Sequence, residues 1–332
     1  MAEKPYRSVM SGARFRRVLM QESEGAARDI LAASKKHERQ VETYSRMRAE
    51  IYSRWVAGWE YFDAVIYAMQ QNGVLLIQRD DEVEDDHSEV RRALSLIHSS
   101  STIVLYEIRT LLAAGLWSGG AARWRALHEL AVTAKLVAEG ERAMATRYLS
   151  HGFVVQTDRL LKYWEAHGRG PVAHHELLKR QEQCRQLIDE LTLANETRSF
   201  RDSYGWAAPL MPISRSGKRI PPTFDRLEKL AGLEQLRLLV SGAHGLVHAD
   251  SAGSATAVVM GEDAWALGPV PDFAETVARP ALMSAIHCIG STHLGFEPEI
   301  NDFAQVIGLL AGAAMKLAGW GVAAFESEPS SS

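Results

Sequence analysis

Between residues 51 and 69 the apolar positions Ile51, Trp55, Trp59, Phe62, Ile66 and Met69 recur at steps of three and four. This spacing places side chains on one stripe of an α-helix and predicts a buried face. The stripe lies in a proline-free stretch from Ala13 to about Gln71, read as one or two long helices. Upstream of it the apolar signal fades and Arg14, Arg16, Arg17, Lys35, Lys36 and Arg39 are expected to form a solvated face. A second apolar helix is predicted from Ser99 to Gly115 through Leu105, Ile108, Leu111 and Leu112. The turn Gly115-Leu116-Trp117-Ser118-Gly119-Gly120 should end it, because glycine tolerates the left-handed conformation at a helix terminus. Helices are expected over 121–139, 141–165 and 174–193, with a break at 167–171. Short connections favour antiparallel neighbours, so the pattern is that of a bundle.

Three segments depart from helical periodicity. From Asp80 to Glu89 seven carboxylates crowd together, and their mutual repulsion predicts an exposed loop. Glu84 and His87 within it have the Glu-x-x-His spacing of di-iron bundles, but such a site needs two of these pairs and further carboxylates. From Asn195 to Pro222 the chain is punctuated by Tyr204-Gly205-Trp206, Pro209, Pro212 and Pro221-Pro222. An ordered loop this long in a compact domain is usually functional. Helices resume at Thr223, and residues 255–267, with Gly261-Glu262-Asp263 at the centre, have the pattern of a short hairpin. Two closing helices are expected over 273–294 and 301–325. The fold class is therefore all-α, a multi-helix bundle with a long irregular central loop and a short β-hairpin-like insertion. The expected division is 1–98 for the N-terminal helices and acidic loop, 99–326 for the bundle carrying the site, and 327–332 for a disordered tail.

The last helix changes the picture, since Phe303 to Phe325 is mostly apolar and carries Gly308 and Gly312 at the GxxxG spacing of membrane dimers. It also contains Gln305 and Lys316, and a mid-span lysine costs roughly 2.5–3.5 kcal/mol. A closely packed core helix is expected, and no membrane partner. The formal charge of −4 and pI near 6.3 exclude a global field for polyanions, so any nucleic-acid contact must be local. Cys184 and Cys288, far apart in apolar surroundings, read as buried thiols of a reducing compartment. The N-terminal MAEKPYRSVMSGARFRR lacks the apolar core of a signal peptide, so the expected address is cytoplasmic.

Two polar clusters stand in apolar frames. In the first, Arg123-Trp124-Arg125-Ala126-Leu127-His128-Glu129-Leu130, Arg125 and Glu129 are four apart and close enough to pair across a helix interface. Turned instead into a cleft, Arg125 would offer its planar donor fork to a phosphate or carboxylate. The second runs from Arg237 to Asp250 and places His244 and His248 four apart on one helical face. It is not the HExxH metalloprotease signature, because Gly245 stands where the glutamate base would be. A zinc site would need a third ligand, for which Asp250, Glu129 or His151 are the candidates. Arg237 and His244 match the Arg-x(4–6)-His pattern of HEPN helical ribonucleases, in which histidine moves a proton and arginine stabilises phosphorane charge.

The chain resembles a bacterial all-helical family of unknown function, DUF5677. The resemblance rests on Leu111-Leu112-x-x-Gly115 before Arg125-x-Leu127-x-Glu129, on Tyr204-Gly205-Trp206-Ala207, and on Val247-His248-Ala249 with Gly253 after it, and covers about Ser99 to Phe325. It implies an all-helical fold often encoded near mobile or defence genes, with no established activity. The histidine of the family maps to His248, whereas the ribonuclease pattern selects His244. A serine usual before that histidine would fall near His244, where this chain departs.

These readings converge on one site. Its catalytic candidates are His248, His244 and Arg237, and its substrate-binding candidates are Arg125, Glu129, Tyr204 and Trp206, with no metal and no cofactor. The expected activity is metal-independent RNA cleavage or nucleotide binding in a stress or anti-phage setting, with RNA or a nucleotide as partner and a homodimer allowed. The alternatives are a non-enzymatic helical interaction protein and a metal-dependent hydrolase.

Overall fold

Every position of the stripe from Ile51 to Met69 is buried in the computed structural model of the chain. The structure describes residues 38–80, 87–196, 198–239, 258–260, 265–267, 274–296 and 302–327. The chain divides into two compact units, 1–50 and 51–332. Of the first, residues 38–50 are described, and they lie in helix α1 (Glu38–Arg54), whose last turn belongs to the second unit.

In the second unit, α2 (Val56–Asp80) packs against α3 (Ser88–Ala113) and the closing helix α10 (Asp302–Glu326). Helices α4 (Trp117–Glu139) and α9 (Ala274–Phe296) complete this layer, α9 touching α3, α4 and α10. Trp59 is the keystone of the α2 end: its indole N–H donates to the Ile51 carbonyl at 3.0 Å and Phe325 meets its ring edge-on at 5.0 Å. A buried tryptophan needs such a partner for its N–H while its rings supply apolar area. Helix α5 (Glu141–His167) rests on α3, and α6 (His174–Leu191) packs back on α5. The short helices α7 (Phe224–Ala231) and α8 (Glu234–Leu239) follow the central loop.

Helix α3 ends as its sequence predicts: Gly115 sits at φ 70°, Leu116 N–H donates to Leu111 and Gly115 N–H to Leu112. This is the paired arrangement that satisfies terminal carbonyls. Its start differs from expectation. The helix begins at Ser88, not Ser99, and runs through the 98–99 boundary that the sequence suggested. Val90, Ala93, Leu94 and Ile97 bury an apolar face there, obscured in sequence because Arg91, Ser95 and His98 are buried beside them. Ser88 and Glu89 are thus helical, while 81–86, including Glu84, lie outside the described residues. Gly119 and Gly120, expected in the turn, belong to the first turn of α4.

Over Ile307–Glu326, α10 is long and apolar enough by length and composition to cross a membrane. Within the unit it buries Ile307, Ala311, Ala314, Ala318 and Phe325 and exposes Leu309 and Trp320. Two three-residue strands, β1 (Val258–Met260) and β2 (Trp265–Leu267), pair antiparallel with Val258 opposite Leu267. Of the hairpin-like insertion expected over 255–267, these six residues are the ones described. Both cysteines are free and buried, and burial pushes the Cys288 thiol up to about 12.

Candidate functional site

The central loop has few ladder hydrogen bonds of its own, so its buried carbonyls need other donors. Two arginines supply them. Arg147 of α5 donates to the carbonyls of Trp206 (2.9 Å), Leu191 (2.7 Å) and Gly205 (3.1 Å), and Arg219 to those of Met211 (2.6 Å) and Pro209 (3.1 Å). Glu196 stands 3.7 Å from Arg147 as its counter-charge. Burial pulls the Arg147 pKa down and Glu196 opposes that, while burial raises the Glu196 carboxyl against the pull of the Leu193 backbone N–H and the two arginines. The loop is therefore fastened to α5 at its waist.

That fastening sets the geometry of Tyr204-Gly205-Trp206. A Cβ at Gly205 would stand 2.1 Å from the Phe200 carbonyl oxygen, so only glycine fits the approach. Trp206 is buried edge-on against Tyr148 of α5, ring centroids 5.4 Å apart. Tyr204 adopts φ 62°, the one left-handed non-glycine residue among those described. That conformation costs about 1–2 kcal/mol. In return its phenol reaches α4 and donates to the Glu129 carboxylate, and a hydrogen bond to a charged group is worth about 1.5–3 kcal/mol. A strained residue held by its surroundings is a signal of a functional position.

The Glu129–Tyr204 pair lies in the wall of a cleft of about 1180 Å³ between α4, α5 and the loop. Tyr148, His151, Arg159 and Lys162 of α5 line the opposite side, with Trp206 and Arg201 from the loop. Burial raises the pKa of both phenols; the Glu129 carboxylate adds to this at Tyr204 through its hydrogen bond and at Tyr148 through its charge. Both therefore stay protonated and remain donors at neutral pH. His151 Nε2 lies 3.0 Å from the Asp202 carbonyl. An accepting carbonyl requires the proton on Nε2, which leaves Nδ1 of the neutral ring as an acceptor. Burial lowers the His151 pKa, the Asp202 hydrogen bond opposes this and the Arg147 charge adds to it, so the ring is neutral at pH 7. Arg201 pairs with Asp158 at 2.7 Å on the rim.

Of the residues proposed from sequence, Glu129, Tyr204 and Trp206 come together in this cleft. The partner that the structure gives Glu129 is Tyr204, 75 residues away, while Arg125 stands close enough for its charge to act on the Tyr204 phenol. The buried titratable member of the first cluster is His128, whose Nε2 lies 2.7 Å from Glu228 of α7, both side chains buried. Trp124 stacks on His128, and Phe224 meets it edge-on and lies 6.5 Å from the Tyr204 ring, so this pair secures the back of the site. Arg237 lies in α8 with its side chain outside the described residues, and His244, His248 and Asp250 also lie outside them. Among the described residues no three His, Cys, Asp or Glu side chains gather around a common metal position. Sequence reasoning missed Tyr148, Arg159 and Lys162 and treated His151 only as a spare metal ligand. The signal was present: 148, 151, 155, 159 and 162 follow helical steps along one face of α5.

The model of a family of unknown function, DUF5677, matches residues 91–263, just over half of the 332-residue chain, and the chain belongs to that family. The matched segment contains the whole cleft and the three motifs and stops before α9 and α10. Neither the curated proteins nor the solved structures gave a match.

Proposed function

We propose that this chain is a nucleotide- or RNA-binding member of the family and that the cleft between α4, α5 and the central loop is its recognition site. The observation that carries this is the composition of the cleft. Two protonated phenols and a carboxylate acceptor share it with Arg159 and Lys162, which form no ion pair among the described residues. Sugar and base edges need paired donors and acceptors, phosphate needs unneutralised cations, and ring faces need aromatic surfaces. The net charge of −4 makes these local cations the relevant field.

Metal-independent cleavage, the HEPN-like expectation, is the catalytic half of the proposal. His248 or His244 would move the proton, Arg237 would steady phosphate charge, and His151 offers a neutral imidazole inside the cleft. The setting implied by the family resemblance is stress or anti-phage defence. A non-enzymatic interaction protein is the second reading, favoured by the sealed His128–Glu228 pair, which is a structural use of polar residues in the same helix.

Titration calorimetry of the full chain with nucleoside monophosphates and dinucleotides tests the binding half. Glu129→Gln and Tyr204→Phe should each weaken binding by about tenfold, the worth of one charge-assisted hydrogen bond. Absence of heat from any nucleotide, with folding intact, would overturn it. Incubation with RNA in chelator tests the catalytic half: His248→Ala should abolish cleavage, and retention of full cleavage would remove that histidine from the mechanism.

A further inference from the structure

We propose that the cleft is the first half of a track for single-stranded nucleic acid that continues along α5 to the α5–α6 turn; this rests on the nucleotide-binding reading of the cleft. Arg159 is the joint. It lines the cleft and also a second groove of about 650 Å³, whose other walls include Gln156, Leu160, Tyr163, Arg169 and Pro171. The two depressions therefore share a side chain and lie on one helix.

The second groove carries the features that a strand requires. Tyr163 is 48% exposed although His167 stacks on its ring at 4.3 Å, with His167 Nδ1 2.9 Å from the Tyr163 carbonyl. A side chain clamped by its own helix yet open to solvent is a low-entropy platform for a base. Charge follows the same line. Arg180, Arg185 and Arg201 are each paired, with Glu176, Glu182 and Asp158. Arg159, Lys162 and Arg169 carry no ion pair among the described residues, and Arg159 and Arg169 line the groove with Tyr163. Glu165 is the carboxylate that faces the cleft from this helix without such a partner. Sequence-tolerant strand binding combines cations along the backbone with exposed rings for bases. From His151 to Tyr163 the helix advances about 18 Å at ~1.5 Å per residue, a path longer than one nucleotide.

Fluorescence anisotropy of the full chain with labelled RNA and DNA oligonucleotides of graded length, from one to twelve nucleotides, tests the track. Affinity should climb with length over the first few nucleotides and then level. Arg169→Ala and Tyr163→Ala, both at exposed positions, should weaken the longer strands at least about fivefold and leave the mononucleotide unaffected. Arg169→Ala should also reduce the slope of log affinity against log salt by about 0.7. Binding of RNA alone, or of RNA and DNA alike, supports the track. Mononucleotide binding without any gain from length overturns the track but leaves the cleft reading standing, as does equal weakening of all lengths. A preference for duplex overturns it, and failure of every nucleotide overturns both.

Discussion

The Tyr204 phenol and the Glu129 carboxylate join the central loop to α4 across 75 residues of chain, and the tyrosine adopts a left-handed backbone to do so. Removing the hydroxyl removes a charge-assisted hydrogen bond while leaving the ring against Phe224. Tyr204→Phe should therefore destabilise by about 1 kcal/mol after solvent takes up the partly buried carboxylate. That corresponds to about 2 °C in a calorimetric melting scan. Tyr204→Gly relieves the backbone but loses the ring and should also melt lower; a melting temperature at or above wild type in both variants would contradict the pairing.

Gly205 meets the Phe200 carbonyl oxygen too closely for any Cβ, at 2.1 Å from its ideal position. Gly205→Ala must displace backbone, which costs more than an ordinary overpacking of about 1–3 kcal/mol. Limited proteolysis should open the chain at Arg198, Arg201 or Lys218 many times faster than in wild type. Cleavage at an unchanged rate would show that the loop accommodates the methyl group.

Arg147 holds two loop carbonyls and the last carbonyl of α6, and it faces Glu196. Arg147→Ala leaves those acceptors unpaired and removes the nearer of the two cations acting on the buried Glu196 carboxylate, a loss of about 3 kcal/mol. Arg147→Lys should recover little of it, because an ammonium cannot reproduce the planar fork. Denaturant unfolding of both variants measures this, and full recovery by lysine would mean that charge alone matters.

His98 is wholly buried with Nε2 2.9 Å from the Met69 carbonyl, and burial holds its pKa below the usual value against the pull of that hydrogen bond. The unfolded chain takes up a proton there near pH 6.5, whereas the folded chain does so only at lower pH. Stability is therefore full above the unfolded pKa and falls as the solution is acidified below it, by up to about 1.4 kcal/mol per pH unit for one group. His151 and His287 are shifted in the same direction. Melting temperatures between pH 7.5 and 5 should fall, and His98→Gln should flatten the profile; an identical slope in the variant would contradict the assignment.

What could be seen in sequence follows from range. Helical stripes such as Ile51 to Met69 repeat within one element, and their burial was legible from spacing alone. The start of α3 was not, because Arg91, Ser95 and His98 occupy buried positions that hydrophobic periodicity assigns to apolar residues. In the candidate site the residue types were legible and the partners were not. Arg125 and Glu129 are neighbours by helical arithmetic, yet the hydrogen bond to Glu129 comes from a loop tyrosine, and His128 finds Glu228 100 residues on. Pairing across such distances is decided by the packing of α4 against α7 and the loop, which no local pattern encodes.

The most direct test of the cleft as a nucleotide site is photocrosslinking of a short RNA containing 4-thiouridine, with adducts mapped by mass spectrometry. Adducts are expected on peptides from 141–167 and 198–210, where Tyr148, His151, Arg159 and Tyr204 line the cleft, and at sub-saturating RNA their yield should fall about tenfold in Glu129→Gln. Adducts confined to other parts of the chain, or none from a protein that remains folded, would contradict the account.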